Sequence, residues 1–125
     1  EQTQNDLFAD RQLRLMIENG NRQVVGIVDL CSFDPLHNRA EVGIMVDKSC
    51  RRQGIGRNAL ALLEEHCFRY LGIHQLFAYI AVENLPSRRL FAACGYKESA
   101  VLKEWAHTFG GGYTDVLVVQ KLNLS

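Results

Sequence analysis

The stretch Arg51-Arg52-Gln53-Gly54-Ile55-Gly56-Arg57 constrains this chain more than any other. It lies between an apolar, β-forming segment, Glu41-Val42-Gly43-Ile44-Met45-Val46, and a segment from Asn58 to Leu71 with helical periodicity. A strand, a glycine loop and a helix in that order make an anion cradle. The N–H groups of a first helical turn have no intrahelical partner, and they point outward along the positive end of the helix dipole. Gly54 and Gly56 carry no Cβ, so a phosphate can approach the backbone closely. Three arginines fall within the same seven residues, at a helix end whose dipole disfavours cations. The loop is therefore expected to dock a phosphorylated ligand.

The segments around it define the fold class. Gln12 to Glu18 alternates apolar and polar residues and is expected to be a strand. Asn19-Gly20-Asn21 marks a hairpin turn, because Asn-Gly accepts positive φ. Gln23 to Phe33 is the return strand, and Arg39 to Asp47, apolar on both faces, is a central one. In the helix that follows, Ile55, Ala59, Leu60, Leu63, Cys67, Tyr70 and Leu71 share one face, and Arg57, Glu64, Glu65 and Arg69 fall elsewhere. Gly72 ends it. Gln75 to Val82 is a buried strand, and strand–helix–strand implies a right-handed crossover with strands 41–47 and 75–82 parallel. Asn84 and Pro86 start a second helix that runs to Cys94. Strands at about 101–108 and 113–122 close the chain through Gly110-Gly111-Gly112. The sum is one α/β (α+β) domain over residues 1–125, with a mixed, mostly antiparallel twisted sheet.

The glycine loop has rivals. Gly54-Ile55-Gly56-Arg57-Asn58-Ala59 matches the dinucleotide pattern G-x-G-x-x-A, and Glu83 ends the next strand. A dinucleotide fold, however, begins at its glycine loop and continues through several parallel strands, whereas three antiparallel strands come first here. A Walker loop is excluded because no Gly-Lys-Ser/Thr occurs. With 14 basic and 14 acidic residues the chain lacks the basic excess of a general nucleic-acid binder. No apolar run approaches the ~20 residues of a membrane span. Cys31, Cys50, Cys67 and Cys94 form no C-x-x-C pair and have no histidine at metal-ligand spacing. No metal site is expected, and free thiols imply the cytoplasm. Met16, Met45 and Trp105 are expected in packing, and His66 and His74 at the surface.

Two motifs together resemble the GNAT superfamily of acetyl-CoA-dependent N-acetyltransferases. Arg51-Arg52-Gln53-Gly54-Ile55-Gly56 is similar to its Gln/Arg-x-x-Gly-x-Gly/Ala motif. Asn84, Ser87, Leu90, Phe91 and Gly95-Tyr96 resemble its Asn-x-x-Ala-x-x-Leu-Tyr-x-x-x-Gly-Phe signature, with spacing kept and Ser, Phe and Tyr substituted for Ala, Tyr and Phe. His37-Asn38-Arg39-Ala40-Glu41, Glu104-Trp105 and Gly112-Tyr113-Thr114-Asp115 resemble the branch that holds spermidine and ribosomal-protein N-terminal acetyltransferases.

The resemblance implies an acyl-CoA N-acyltransferase fold whose first strand and helix are missing here, with the central parallel pair splayed at the cofactor site. It implies acetyl-CoA as co-substrate and a small-molecule or peptide amine as acceptor, with direct attack in a ternary complex. Ile44, Met45 and Val46 would hold the pantetheine arm, and Arg51, Arg52, Gln53, Gly54, Ile55, Gly56 and Arg57 the pyrophosphate. Asn84, Ser87 and Phe91 would line the thiol end, and Glu41 is the candidate base. The family's acid tyrosine falls at Phe91, which cannot donate a proton, so water, Cys94 or Tyr113 would serve, or the protein is an acyl-CoA-binding member with weak or no activity. Asp29, Asp34, Glu41, Glu104 and Asp115 are the carboxylates available to a polyamine. Arg88 and Arg89 could reach the CoA phosphates, and His107 the acceptor. A missing first strand would leave apolar surface for a second subunit, making a homodimer one expectation.

Overall fold

The computed structural model describes residues 12–50 and 54–124. The strands are β1 (Leu13–Glu18), β2 (Val24–Asp34), β3 (Arg39–Val46), β4 (Gln75–Ala81), β5 (Lys97–His107) and β6 (Tyr113–Leu122). A short 3₁₀ turn, Lys48–Cys50, follows β3. Helix α1 (Ile55–Glu65) crosses from β3 to β4, and α2 (Leu85–Ala93) connects β4 to β5. The six strands form one sheet in the order β1-β2-β3-β4-β6-β5, antiparallel except for β3–β4.

Both helices pack on one face of this sheet. Leu60, Leu63 and Cys67 of the first crossover and Phe91 of α2 share a core with Val28, Leu30, Val42, Leu76, Ala78, Ile80 and Val119. These strand residues sit opposite one another along the ladders, as Val28–Ile44, Leu30–Val42 and Ala78–Val119 do, so they point to the same side. The other side carries Arg14, Met16, Ile27, Asp29, Met45, Glu41, Phe77 and Tyr79. Met45 and Met16 are 70% and 56% exposed, not core filling as expected, because no described residue covers that face. Trp105 on the edge strand β5 is likewise exposed rather than packed.

Three other local expectations are corrected. The β1–β2 turn takes its positive φ at Arg22 (62°), not at Gly20. The Asn19 side-chain oxygen accepts from the N–H groups of Asn21 and Gln23 and so replaces the Asn-Gly geometry. The first helix begins at Ile55, three residues earlier than its periodicity predicts, and continues from His66 to Tyr70 as a π-helical turn. That wider turn rotates the apolar stripe and leaves Tyr70 exposed. Strand β5 begins at Lys97, before the predicted Val101, because an edge strand can be polar on both faces. Gly72 (φ 66°) does end the first helix.

Glu64 is 6% exposed, although the helical pattern assigned it to the polar side. Its Oε1 pairs with Lys121 Nζ at 2.7 Å, and that ammonium also donates to the Cys94 carbonyl at the end of α2 (2.6 Å). Lys121 thereby ties α1, α2 and β6 together. Among the described residues, Glu64 Oε2 and Tyr96 Oη, also buried, have no hydrogen-bond partner. Burial, and after it the Glu64 charge, push the Tyr96 hydroxyl far above its ordinary value.

Candidate active site

The parallel pair is joined only at its start. Rungs connect Arg39–Gln75, Ala40–Leu76 and Glu41–Phe77. Beyond Glu41, β3 has no further rung with β4 among the described residues: it continues paired with β2, and β4 continues paired with β6. The result is a V that opens between Ile44–Val46 and the C-terminal end of β4. A cleft of about 620 Å³ fills the opening, lined by Ile44, Met45, Val46, Gly54, Ile55, Gly56, Arg57, Asn84, Pro86, Ser87, Arg89 and Leu90. The strand wall is apolar, and the far wall is the first turns of α2.

The floor is the start of α1. Gly54 caps the helix in the left-handed conformation (φ 77°), and among the described residues no side chain bonds to the cap. Among the described residues the first intrahelical bond is Asn58 N–H to Gly54 O (2.9 Å), and the amides of residues 55–57 precede that ladder without a partner there. No acidic residue stands in this first turn to compete with an anion. A Cβ at Gly56 would lie 3.4–3.8 Å from Val46, Leu90 and Ile44 side-chain carbons, so any larger side chain would grow into the junction of floor and walls. An uncapped helix start with close backbone access, beneath an apolar slot, fits a diphosphate joined to an extended apolar arm.

The expected site residues fall into separate places. Ile44, Met45, Val46, Gly54, Ile55, Gly56, Arg57, Asn84 and Ser87 come together around the cleft. Arg51, Arg52 and Gln53 lie outside the described residues. Phe91 is not in the lining: it is 3% exposed and packs edge-on against Tyr96, with ring centroids 4.8 Å apart. Glu41 stands at the vertex of the V, on the last β3–β4 rung. Its neighbour Arg39 pairs with Asp34 instead (3.8 Å).

The two helix arginines separate. Arg88 donates to Glu98 and to the Val82 carbonyl, whereas Arg89 lines the cleft. Cys94 is half-buried and lies away from the lining, with its thiol pushed up by burial. Tyr113 sits on the final hairpin against His107. Ser87 is the single hydroxyl side chain of the lining. A hydroxyl in the family's Ala position was a visible signal for it, although the Asn84 Oδ1 that caps α2 at the Ser87 N–H (3.3 Å) became clear only in three dimensions.

Three of the carboxylates proposed for a polyamine are engaged locally. Asp29 binds Arg14. Asp34 accepts from the N–H groups of His37 and Leu36, which hold it below its usual range. Asp115 accepts from the Glu104 N–H, is paired with Lys103, and is lowered for those reasons. Glu83, not among those candidates, accepts from Thr114 Oγ1 at 2.7 Å beside Asn84.

Residues 2–97 match the family model described as an acetyltransferase (GNAT) domain. The chain belongs to the GNAT acetyltransferase family. Among curated GNAT relatives, the spermidine N(1)-acetyltransferase of Vibrio cholerae serotype O1 is 27% identical over 110 residues, which are 88% of this chain and 63% of that protein. An N-acetyltransferase 9-like protein of Nematostella vectensis is 35% identical over 96 residues, covering 70% of this chain and 48% of the relative. The chain thus spans roughly half to two thirds of these relatives' length. A dodecameric structure of the Vibrio cholerae spermidine N-acetyltransferase superposes with a TM-score of 0.85 at 25% identity, over 94% of this chain and 70% of that one. The GNAT fold, with its mixed sheet opened at one parallel pair, is therefore the fold of this chain.

Proposed function

We propose that the protein transfers an acetyl group from acetyl-CoA to a primary amine by direct attack in a ternary complex. The observation that carries this reading is the β3–β4 V, with its apolar slot and the uncapped amides of residues 55–57 at its floor. The diphosphate would rest on that floor, helped by Arg57 and Arg89, and the pantetheine arm would run along Ile44, Met45 and Val46. The thioester would then point toward the vertex. There the attacking nitrogen forms a bond to the acetyl carbon, the C–S bond breaks, and the amine gives up a proton.

Each step has a residue of this chain to serve it. A free ammonium, with a pKa near ~10, has no lone pair, so a base must accept its proton. Glu41 at the vertex takes that role through a bridging water. Backbone N–H groups of β3 beyond Glu41, where its pairing with β4 has ended, would stabilise the oxyanion. Ser87, the hydroxyl of the cleft wall, would donate a hydrogen bond to the departing thiolate, which takes its proton from water, in place of the tyrosine that Phe91 replaces.

Spermidine is the first acceptor to try, because relatives of similar sequence and structure carry that name. The test is release of free CoA thiol from acetyl-CoA in the presence of spermidine, other small amines or a peptide N-terminus. Turnover is expected, with Glu41→Gln reducing kcat about 10²-fold or more. CoA binding with no turnover on any amine would favour the second reading, an acyl-CoA-binding member, to which the burial of Phe91 points.

A further inference from the structure

Glu41 is where two ladders end. On one side the β3–β4 pairing stops at Glu41–Phe77. On the other, the regular β2–β3 pairing stops at Cys31–Glu41, and the next rung is Asp34–Arg39. Ser32 and Phe33 therefore oppose Ala40 alone in a β-bulge, and Ser32 adopts a left-handed φ of 53°. Bulges of this kind re-aim neighbouring side chains, and the strained φ persists only where the surroundings hold it.

Cys31 and Glu41 are direct cross-strand partners, so their side chains stand on the same face with Cβ atoms about 5 Å apart. Cys31 is half-buried and unbridged. Burial first, and the Glu41 charge second, push its thiol up, so it carries its proton at neutral pH. A protonated thiol facing a carboxylate is a weak donor aimed at an acceptor.

We propose that Cys31 is a positioning residue for Glu41: its S–H, fixed by the Ser32 bulge, holds the carboxylate turned toward the vertex of the V. This rests on the reading of Glu41 as the proton acceptor. Phe77 closes the opposite side with an apolar ring and offers no polar hold, so Cys31 supplies the orienting contact on that face.

The test compares Cys31→Val, which keeps the volume and removes the donor, with Cys31→Ser, which keeps a donor. Spermidine acetylation by the full chain is measured alongside Glu41→Gln. Cys31→Val is expected to lower kcat by about 3- to 10-fold, the worth of one modest hydrogen bond, with the KM for acetyl-CoA and the melting temperature nearly unchanged. Cys31→Ser is expected to restore most of kcat.

A second readout needs no turnover: the ¹³C carboxyl resonance of Glu41 at fixed pH moves in Cys31→Val and returns toward wild type in Cys31→Ser. If Glu41→Gln loses activity while Cys31→Val keeps wild-type kcat and an unmoved Glu41 resonance, the positioning role is overturned and the base reading stands. Full activity in Glu41→Gln overturns both.

Discussion

The two faces of the sheet solve opposite problems. The face under α1 and α2 is sealed. Leu60, Cys67, Ile73 and Leu76 are fully buried there, and the buried carboxylate of Glu64 is paired with Lys121. On the opposite face, the described residues leave Met45 and Tyr79 open and place Cys31 and Glu41 at the point where the ladders break. The sealed side supplies the rigidity that keeps the V open, because α1 and α2 can grip their strands without the strands gripping each other. The open side leaves the vertex within reach of an acceptor. In the proposed reading the base and the acceptor lie on the open side, while the helices of the sealed side carry stability and wall the cofactor cleft, and substitutions should sort the same way.

The largest difference should come from the buried ion pair. Lys121→Met strands the Glu64 charge in the core and frees the end of α2. It should cost about 3–5 kcal/mol in urea unfolding, as a broken buried pair does. Pairing it with Glu64→Leu should recover most of the loss; no recovery would mean that the cost comes from the α2 carbonyl contact instead. Next, Leu63→Ala on the sealed side should cost about 2–5 kcal/mol, whereas Met45→Ala on the open side should stay within about 0.5 kcal/mol and change CoA affinity instead. Equal costs for the two would erase the contrast.

The remaining effect is confined to alkaline pH. Burial, with the Glu64 charge second, pushes the Cys67 thiol from 9.0 up to about 12. The folded state therefore holds that proton more tightly, and the stability it contributes is complete below pH 9.0 and lost as pH rises through about 12. Denaturation midpoints measured across that window should fall, and less steeply in Cys67→Ala.

Much of this division is written locally in the chain. Alternation in Leu13–Ile17, the β-rich run of Val24–Leu30 and the glycine loop at 54–56 place β1, β2, β3 and the α1 cradle, because periodicity and left-handed glycine are short-range signals. The cleft-lining roles of Ile44–Val46, Asn84 and Ser87 are implied by the family resemblance carried on those elements. What fails is long-range or compensatory. Glu64 looks like a solvated position because its partner, Lys121, is 57 residues away on β6. Met45 looks like core because its own pattern cannot reveal that nothing among the described residues packs over it. Arg22 takes the positive φ of the first hairpin because Asn19 captures two amides, a competition invisible in the Asn-Gly dipeptide. Phe91 holds the family's tyrosine position, yet Tyr96 draws its ring into the core.

The central claim is that the amides opening α1 hold the diphosphate at the mouth of the V. It is tested most directly by titrating the ¹⁵N-labelled protein with CoA and following backbone amide resonances. The Gly56 and Arg57 amides should shift saturably together with those of Ile44–Val46. Unmoved Gly56 and Arg57 resonances at CoA concentrations that saturate binding would contradict it.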